Sequence, residues 1–416
     1  LNLNLNLGVG VEKAVVAIVK CDSYDSLLVE GAVRRGVELI GGIDGIVKPG
    51  EKILLKPNIL RGADPGRCVT THPEVFRAVA KIFLEKNAIV SYGDSPGDPL
   101  STVGAWKKCG IFAVAEELHL LQGDFDHGQS RSFPEGIVNK SLTIANAVLE
   151  NDGLVSLPKL KTHGLTRMTG AVKNQFGCVP GMLKGQYHAQ FPDVFEFSKL
   201  LVDINLFIKP RLYVLDAVYA MEGNGPQSGE PKKIGCILVS TDPVAIDTVA
   251  CHLIALDPAC VPPITFGRQA GLGTDDIDQI EVRGETVETF QDKSFNVVRK
   301  PPVPLPQNKY LQEIRRLFIP RPVIDKKKCI VCKRCIQVCP VEPKVLSMKK
   351  NRRVPQYDYG RCIRCYCCQE MCPEKAISIH STALKKLFPF LSYLSLFISS
   401  IHSKASSEKM TNEEKK

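Results

Sequence analysis

No G-x-x-x-x-G-K-S/T run occurs in the chain, and no G-x-G-x-x-G follows its first apolar run of strand length. A P-loop nucleotide site and a dinucleotide-binding half are therefore unsupported, because each needs those glycines to bring backbone N–H groups onto phosphate. No helix-turn-helix, zinc-finger or interleaved basic–aromatic pattern is present, so nothing favours nucleic acid as a partner. The uncharged stretch near the C-terminus falls short of the ~20 residues that a membrane-spanning helix needs. No secretory signal is seen, which argues for a reducing cytoplasm over an exported, disulfide-bonded protein.

Cysteine, by contrast, is abundant: half of the 16 residues fall in two copies of one pattern. Cys329, Cys332, Cys335 and Cys339 precede Pro340; Cys362, Cys365, Cys368 and Cys372 precede Pro373. Each copy reads C-x-x-C-x-x-C-x-x-x-C-P, a run that holds one 4Fe-4S cluster with three thiolates and lends its fourth to the neighbour. The proline, lacking an N–H, suits the start of a short helix after that fourth cysteine. Two 4Fe-4S clusters follow. The first takes Cys329, Cys332, Cys335 and Cys372; the second takes Cys362, Cys365, Cys368 and Cys339. Zinc would favour paired C-x-x-C knuckles, often with histidine, and no histidine lies between Cys329 and Cys372. The segment resembles a bacterial two-cluster ferredoxin. Cys367, beside Cys368, is surplus to the pattern and is read as a thiol outside the ligand set.

The net charge of +10 is concentrated around these motifs. Lys326, Lys327, Lys328, Lys333, Arg334, Lys349, Lys350, Arg352 and Arg353 face few carboxylates there. The first reading is a solvated collar that offsets the negative charge of thiolate-ligated clusters. The competing one is a docking face for an acidic partner. Clusters of this kind suit an anaerobic or low-oxygen host.

Upstream, short apolar runs alternate with helical spacing. Ala14–Lys20 reads as a strand, Ser26–Ile40 as a helix stopped by Gly41 and Gly42, and Lys52–Leu55 as a second strand. Thr71, Pro73 and Glu74 suggest a capping box opening a helix that leads to a strand at Ala88–Tyr92. Leu154–Leu157, Leu212–Leu215 and Cys236–Ser240 repeat the grammar. The expected fold is α/β, a largely parallel sheet with flanking helices over residues 11–300, plus a small α+β ferredoxin-like two-cluster domain at 324–380. A proline-rich linker at 301–323 would join them. Residues 1–10, alternating Leu and Asn, are set aside. The tail at 381–416 is amphipathic and then charged: its first part would pack on the large domain, or touch a membrane surface through Phe388, Phe390 and Phe397.

In an open parallel sheet, ligands bind beyond the carboxyl ends of the strands. Those ends carry Lys56 and Asn58; Asp94 and Ser95; Lys159, Lys161 and His163; Asp216 and Glu222; and Asp242. Each alone is a common turn residue or helix cap; together they suggest a shared site. Lys159, Lys161, Lys173 and Asn174, near a helix start, could hold a carboxylate or phosphate. Asp216, Glu222 and Asp242 could instead hold Mg²⁺. KILLKPNIL at 52–60, VTTHPEV at 69–75, GDSPG at 93–97, LPKLKTH at 157–163, GAVKNQFG at 170–177 and STDPVAIDTVA at 240–250 together resemble the domain of unknown function 362 family over about residues 14–285. The resemblance implies an α/β partner of ferredoxin modules and supplies no reaction. One departure stands out: Lys86 and Asn87 occupy a place where glycine is usual.

Two functions fit these residues. In one, a redox enzyme moves electrons between the clusters and an anionic small molecule. Lys159, Lys161 and Lys173 would bind the anion, His163 would act as acid, and Asp94 or Asp216 would hold a metal or move a proton, with Lys56, Asn58, Asn174 and Asp242 as cofactor-binding groups. In the other, a non-catalytic electron carrier or assembly adaptor docks on a redox partner protein.

Overall fold

The computed structural model describes residues 13–97, 102–181, 183–302 and 319–381. The Leu/Asn-rich start, most of the proline-rich linker and nearly all of the tail lie outside them. Strands β1 (Ala14–Lys20), β2 (Lys52–Pro57), β3 (Ile89–Tyr92) and β4 (Leu121–Gln122) alternate with helices α1 (Ser26–Leu39), α2 (Pro73–Glu85), α3 (Thr102–Lys108) and α4 (Ile111–Glu117). A hairpin of β5 (Gly128–Ser132) and β6 (Ser141–Ala145) and the short α5 (Asn146–Leu149) lead to β7 (Gly153–Leu157), β8 (Lys159–His163) and β9 (Arg167–Thr169). Then come α6 (Ala171–Asn174), α7 (Leu183–Gln190), α8 (Val194–Ile208), β10 (Leu212–Glu222), β11 (Glu230–Ser240), α9 (Pro243–Leu253), α10 (Pro262–Gln269), β12 (Ile280–Gly284) and α11 (Val287–Phe290).

Ten strands form one sheet in the order β12-β1-β11-β10-β7-β2-β3-β4, with β8 beside the far part of β10 and β9 folded back on β8. Along that order only β11 runs against its neighbours. Side-chain alternation sends Ile18, Leu215 and Leu238 to one face and Ala17, Val214 and Val239 to the other. Leu200, Val249 and Ile264, from α8, α9 and α10, cover the first face; Val33, Phe76 and Val114, from α1, α2 and α4, cover the second. Burial on both faces is why these strands read as continuous apolar runs.

Three local expectations change. Strand β10 does not stop before Asp216 but runs through it to Glu222, because the chain pairs with β11 along its whole length. Strand β11 is reversed, so Asp242 lies beyond the end that points away from the carboxyl ends of β2, β7 and β10. The cap of α2 is His72, whose Nδ1 accepts from the N–H of Glu74 at 3.2 Å. Thr71 instead ties two strand ends together: its hydroxyl donates to the Leu157 carbonyl at 2.6 Å and accepts from the Asn58 N–H at 2.9 Å.

The C-terminal module repeats one small unit twice. It contains β13 (Arg321–Ile324), α12 (Arg334–Gln337), β14 (Leu346–Ser347), β15 (Gln356–Tyr357), α13 (Cys367–Glu370) and β16 (Ile377–His380), with β13 pairing β16 and β14 pairing β15, both antiparallel. The module packs on the loop after β10. Gln369 donates to the carbonyls of Asn224 and Gly225 at 3.0 and 3.2 Å, Gln227 donates to that of Cys372 at 3.1 Å, and Lys375 pairs with Glu230 at 2.7 Å. Two glycines let the backbones approach: a Cβ on Gly164 would meet Ile379 at 2.4 Å, and one on Gly97 would meet Met371 at 2.9 Å.

Asn87, exposed after α2, has φ +57°, in the left-handed region that glycine occupies without a Cβ penalty and that asparagine tolerates best among the others. Asn87→Val should therefore cost about 1–2 kcal/mol in denaturant unfolding, while Asn87→Gly should leave the midpoint nearly unchanged.

Candidate functional site

The two cysteine motifs share one backbone path. Val331 and Lys333 in the first, and Arg364 and Tyr366 in the second, all have positive φ, from +59° to +65°. Four non-glycine residues in that costly region, at matching positions, mark loops shaped to wrap something. Each loop closes a hollow. Cys329, Cys332, Cys335 and Cys372 line the first; Cys339, Cys362, Cys365 and Cys368 line the second, and Cys367 lines neither. Each quartet thus takes its fourth sulfur from the other motif. Among the described residues no three His, Cys, Asp or Glu side chains gather closely enough to ligate one ion. Four cysteines line each hollow, the donor set that holds a 4Fe-4S cluster, so the residues fit two such clusters. The quartets differ in exposure. Cys332 is exposed and Ile330 beside it is 61% exposed, whereas Cys362, Cys365 and Cys368 are buried.

At the carboxyl ends of β2 and β7, strand β8 carries K-L-K-T-H with every side chain buried. Lys56 pairs with Asp94 at 2.9 Å, both nearly inaccessible to solvent, and donates to Asn174 at 3.3 Å. Asp94 also accepts from the N–H groups of Ile59 and Ser95, at 2.6 and 3.0 Å. Asn58 donates to Asn174 at 3.0 Å and accepts from Lys161 at 2.5 Å; Lys161 also donates to the Val69 carbonyl. With no carboxylate among the described residues bonded to it, and Lys173 and Lys159 nearby, burial pulls the Lys161 ammonium down to about 7. On the neighbouring side, Lys159 pairs with Asp216 at 2.8 Å, and Tyr24 joins both: its hydroxyl donates to Asp216 at 2.8 Å and accepts from Lys159 at 2.6 Å. The Tyr24 ring stacks on His72 with centroids 3.5 Å apart.

His163 Nδ1 accepts from the N–H groups of Leu165 and Thr166, which leaves the proton of the neutral ring on Nε2. Burial holds this imidazole neutral, pulling it down to about 4. Its Nε2 lies 3.1 Å from Glu370 of helix α13, although neither atom completes a hydrogen bond. Burial would raise the Glu370 carboxyl, but His163 and Lys173 facing it win and hold it well below the usual carboxylate range. The last turn of the second cysteine motif is thus seated on the polar end of the α/β sheet.

Residues 53–252 match the sequence profile described as domain of unknown function (DUF362), and residues 318–376 match that of the 4Fe-4S dicluster domain. Thylakoid-associated protein sll1697 of Synechocystis is 35% identical over 258 residues, which are 62% of this chain and 79% of that protein. The chain belongs to the domain of unknown function 362 family. It is an iron–sulfur dicluster member of it. Two solved structures overlap it in part: the lactate racemase apoprotein from Thermoanaerobacterium thermosaccharolyticum, at 12% identity and TM-score 0.38, and a Thermotoga maritima protein, at 13% and 0.35. Those overlaps cover 55% and 56% of this chain, and 54% and 60% of the other two.

The DUF362 motifs fall into three places. Lys56, Asn58, Asp94, Lys161 and Asn174 form one network, Lys159 and Asp216 a second beside it, and Lys173 and His163 face Glu370. Asp242 stands apart. It caps α9, accepting from the N–H groups of Val244 and Ala245, both at 2.8 Å, and of Thr274 at 3.1 Å. Glu222 accepts from the Asn296 N–H, so Asp216, Glu222 and Asp242 are engaged separately and give Mg²⁺ no support. The N–H groups opening α6 are also taken, by Asp247, at 2.6 and 3.1 Å, and are not free to hold an anion. Sequence reasoning missed Tyr24, His72, Glu370 and Lys184, whose ammonium donates to the Ser95 hydroxyl and, at 2.9 Å, to its carbonyl. Glu370 was hidden because cysteines dominate its motif; Tyr24 had no signal beyond its place after the first strand.

The crossed quartets give a direct expectation for holoprotein prepared without oxygen. Cys372→Ser should remove the signal of the first cluster, and Cys339→Ser that of the second, in iron analysis with electron paramagnetic resonance. Cys367→Ser should retain about eight iron per chain, the content of two four-iron clusters.

Proposed function

We propose that the chain is an electron-transfer protein whose clusters exchange electrons with an anionic substrate at the polar end of the α/β sheet. The observation that carries this reading is the asymmetry of the two quartets. The first reaches solvent at Cys332, while the second is buried, and Glu370, two residues from its Cys368, faces His163 and Lys173 of the α/β domain. When bound, each cluster supplies one-electron transfer and no substrate-binding group of its own. The chain's residues would do the rest. Lys161 and Lys173 would attract the anion, His163 would present its Nε2 proton, and the Lys56–Asp94 and Lys159–Asp216 pairs would fix the surrounding strands. Removing one partner of such a buried pair is costly, about 3–5 kcal/mol, which suits a framework role.

The exposed quartet supports a second element, a docking face for a redox partner protein. Ile330 offers an apolar centre, ringed by the exposed Lys326, Lys327, Lys328 and Lys333. An apolar spot inside a cationic rim favours an acidic carrier through steering as well as contact. The non-catalytic carrier keeps this face and dispenses with the substrate. In setting, the reading is cytoplasmic. Among the described residues no helix is long and apolar enough to cross a membrane, and the thylakoid association in the Synechocystis relative's name would correspond to peripheral contact.

Stopped-flow reduction of the holoprotein by a reduced acidic flavodoxin tests the docking face. Lys326→Glu with Lys327→Glu should slow the second-order rate by roughly tenfold or more at low salt, within the range of electrostatic steering, and flatten its salt dependence. Reduction by a small neutral donor should be unaffected. An unchanged flavodoxin rate would contradict the proposed face.

A further inference from the structure

The two cysteine motifs align in register, Cys329 on Cys362 through to Cys339 on Cys372, so each residue around one quartet has a counterpart around the other. Two of these counterparts differ in chemistry. Ile324 lines the first hollow, and its counterpart Tyr357 lines the second. The Tyr357 hydroxyl donates to Cys368 Sγ at 3.3 Å, a bond that isoleucine cannot make. Its ring is fixed by pairing of the β15 backbone opposite Leu346 and by stacking on Tyr359, with centroids 5.2 Å apart. Val331, between the first two cysteines of the first motif, has Arg364 as its counterpart. Arg364 is buried, only 7% exposed. Among the described residues its guanidinium meets the Cys362 carbonyl at 3.3 Å and the Tyr359 ring at 5.3 Å, rather than a carboxylate.

Both differences bear on the charge at the sulfurs. A thiolate-ligated cluster is already negative and becomes more so on reduction. A donor to sulfur or a buried cation therefore stabilises the reduced form and raises the potential. One difference runs the other way: the Ala376 N–H donates to Cys372 of the first quartet at 3.2 Å, and its counterpart is Pro343, which has no N–H. These two sulfur hydrogen bonds offset each other. The charges do not. Lys326, Lys327, Lys328 and Lys333 stand in water, where screening weakens them, whereas Arg364 acts through protein. Water reaching Cys332 favours reduction of the first cluster, and it is the effect that Arg364 and Tyr357 must outweigh.

We propose that Tyr357 and Arg364 hold the buried second cluster at a higher potential than the first, so that an electron entering on the Cys332 side moves inward. This rests on the electron-transfer reading and gives it a direction. An acidic one-electron carrier protein is oxidised as the first cluster is reduced; the first is then reoxidised as the second is reduced, and no proton or bond changes hands. The chain thus delivers electrons toward the α/β domain rather than withdrawing them. Tyr357 and Arg364 are positioning residues here, since they touch a ligand sulfur and a ligand carbonyl and no substrate.

Stepwise reduction of the holoprotein at set potentials, followed by electron paramagnetic resonance, is the test. The Cys339→Ser and Cys372→Ser proteins assign the two signals. In the unaltered protein the second cluster should be reduced first. Tyr357→Phe, which keeps the ring, should shift the sharing of one electron toward the first cluster roughly twofold to tenfold, the worth of a neutral hydrogen bond. Arg364→Gln should shift it roughly tenfold or more, as for loss of a buried unit charge, and Arg364→Lys should restore most of that. The first cluster's own potential should not change in any of them. Should Arg364→Gln fail to keep about eight iron per chain, Tyr357→Phe decides alone. A first cluster reduced before the second in the unaltered protein would overturn the inference. So would a second cluster whose potential ignores both substitutions. Either result leaves the electron-transfer reading standing, whereas clusters that no donor can reduce would sink that reading and the inference with it.

Discussion

The rest of the structure depends on positive charge buried at one end of a sheet. Lys56, Lys159 and Lys161 are essentially inaccessible to solvent, and Lys173 and Lys184 are half-buried. An isolated ammonium in that setting costs several kcal/mol even after relaxation, so the fold must bring negative charge or acceptors to each one. Asp94 and Asp216 come from within the sheet; Asn58, Asn174 and Ser95 supply neutral oxygens. The remaining carboxylate, Glu370, arrives on a different domain. Charge compensation therefore welds the two-cluster module to the α/β domain, and the seam is where the second quartet sits.

The weld also explains an asymmetry between duplicated halves. Both motifs use the same left-handed residues and the same single helical turn. Arg334 opens that turn in the first half, where the second has Cys367; Gln337 and Val338 follow where the second has Glu370 and Met371. The first half faces solvent with lysines around an exposed isoleucine, while the second turns Gln369, Glu370 and Met371 into the α/β domain. Duplication built two similar sites, and substitutions outside the cysteines gave them different neighbours.

Much of this was legible from the chain alone, for physical reasons that also set the limits. Strands buried on both faces, such as β1 and β7, advertise themselves as apolar runs, and the repeated cysteine spacing encodes its own wiring. Strand β8 does not, because alternating lysines in K-L-K-T-H read as the polar end of the preceding strand until partners for their ammoniums are known. Strand β10 continues through Asp216 because Lys159 and Tyr24 satisfy the carboxylate, a contact between residues far apart in sequence. The direction of β11 follows from its pairing and leaves no local trace, which is why Asp242 seemed to join a site it does not reach. The proline-rich linker marked a boundary between two domains, and nothing in its composition reveals that Gln369 and Glu370 reach across to the α/β domain.

If the polar end of the sheet and the second quartet are one electrostatic unit, a charge removed from the first must be felt by the second. Potentiometric titration of the holoprotein and its Lys173→Met variant measures this directly. Loss of the ammonium should make the second cluster harder to reduce, shifting its potential negative, while the exposed first cluster keeps its value. Equal potentials in the two proteins, or an equal shift in both clusters, would mean that the domains merely touch.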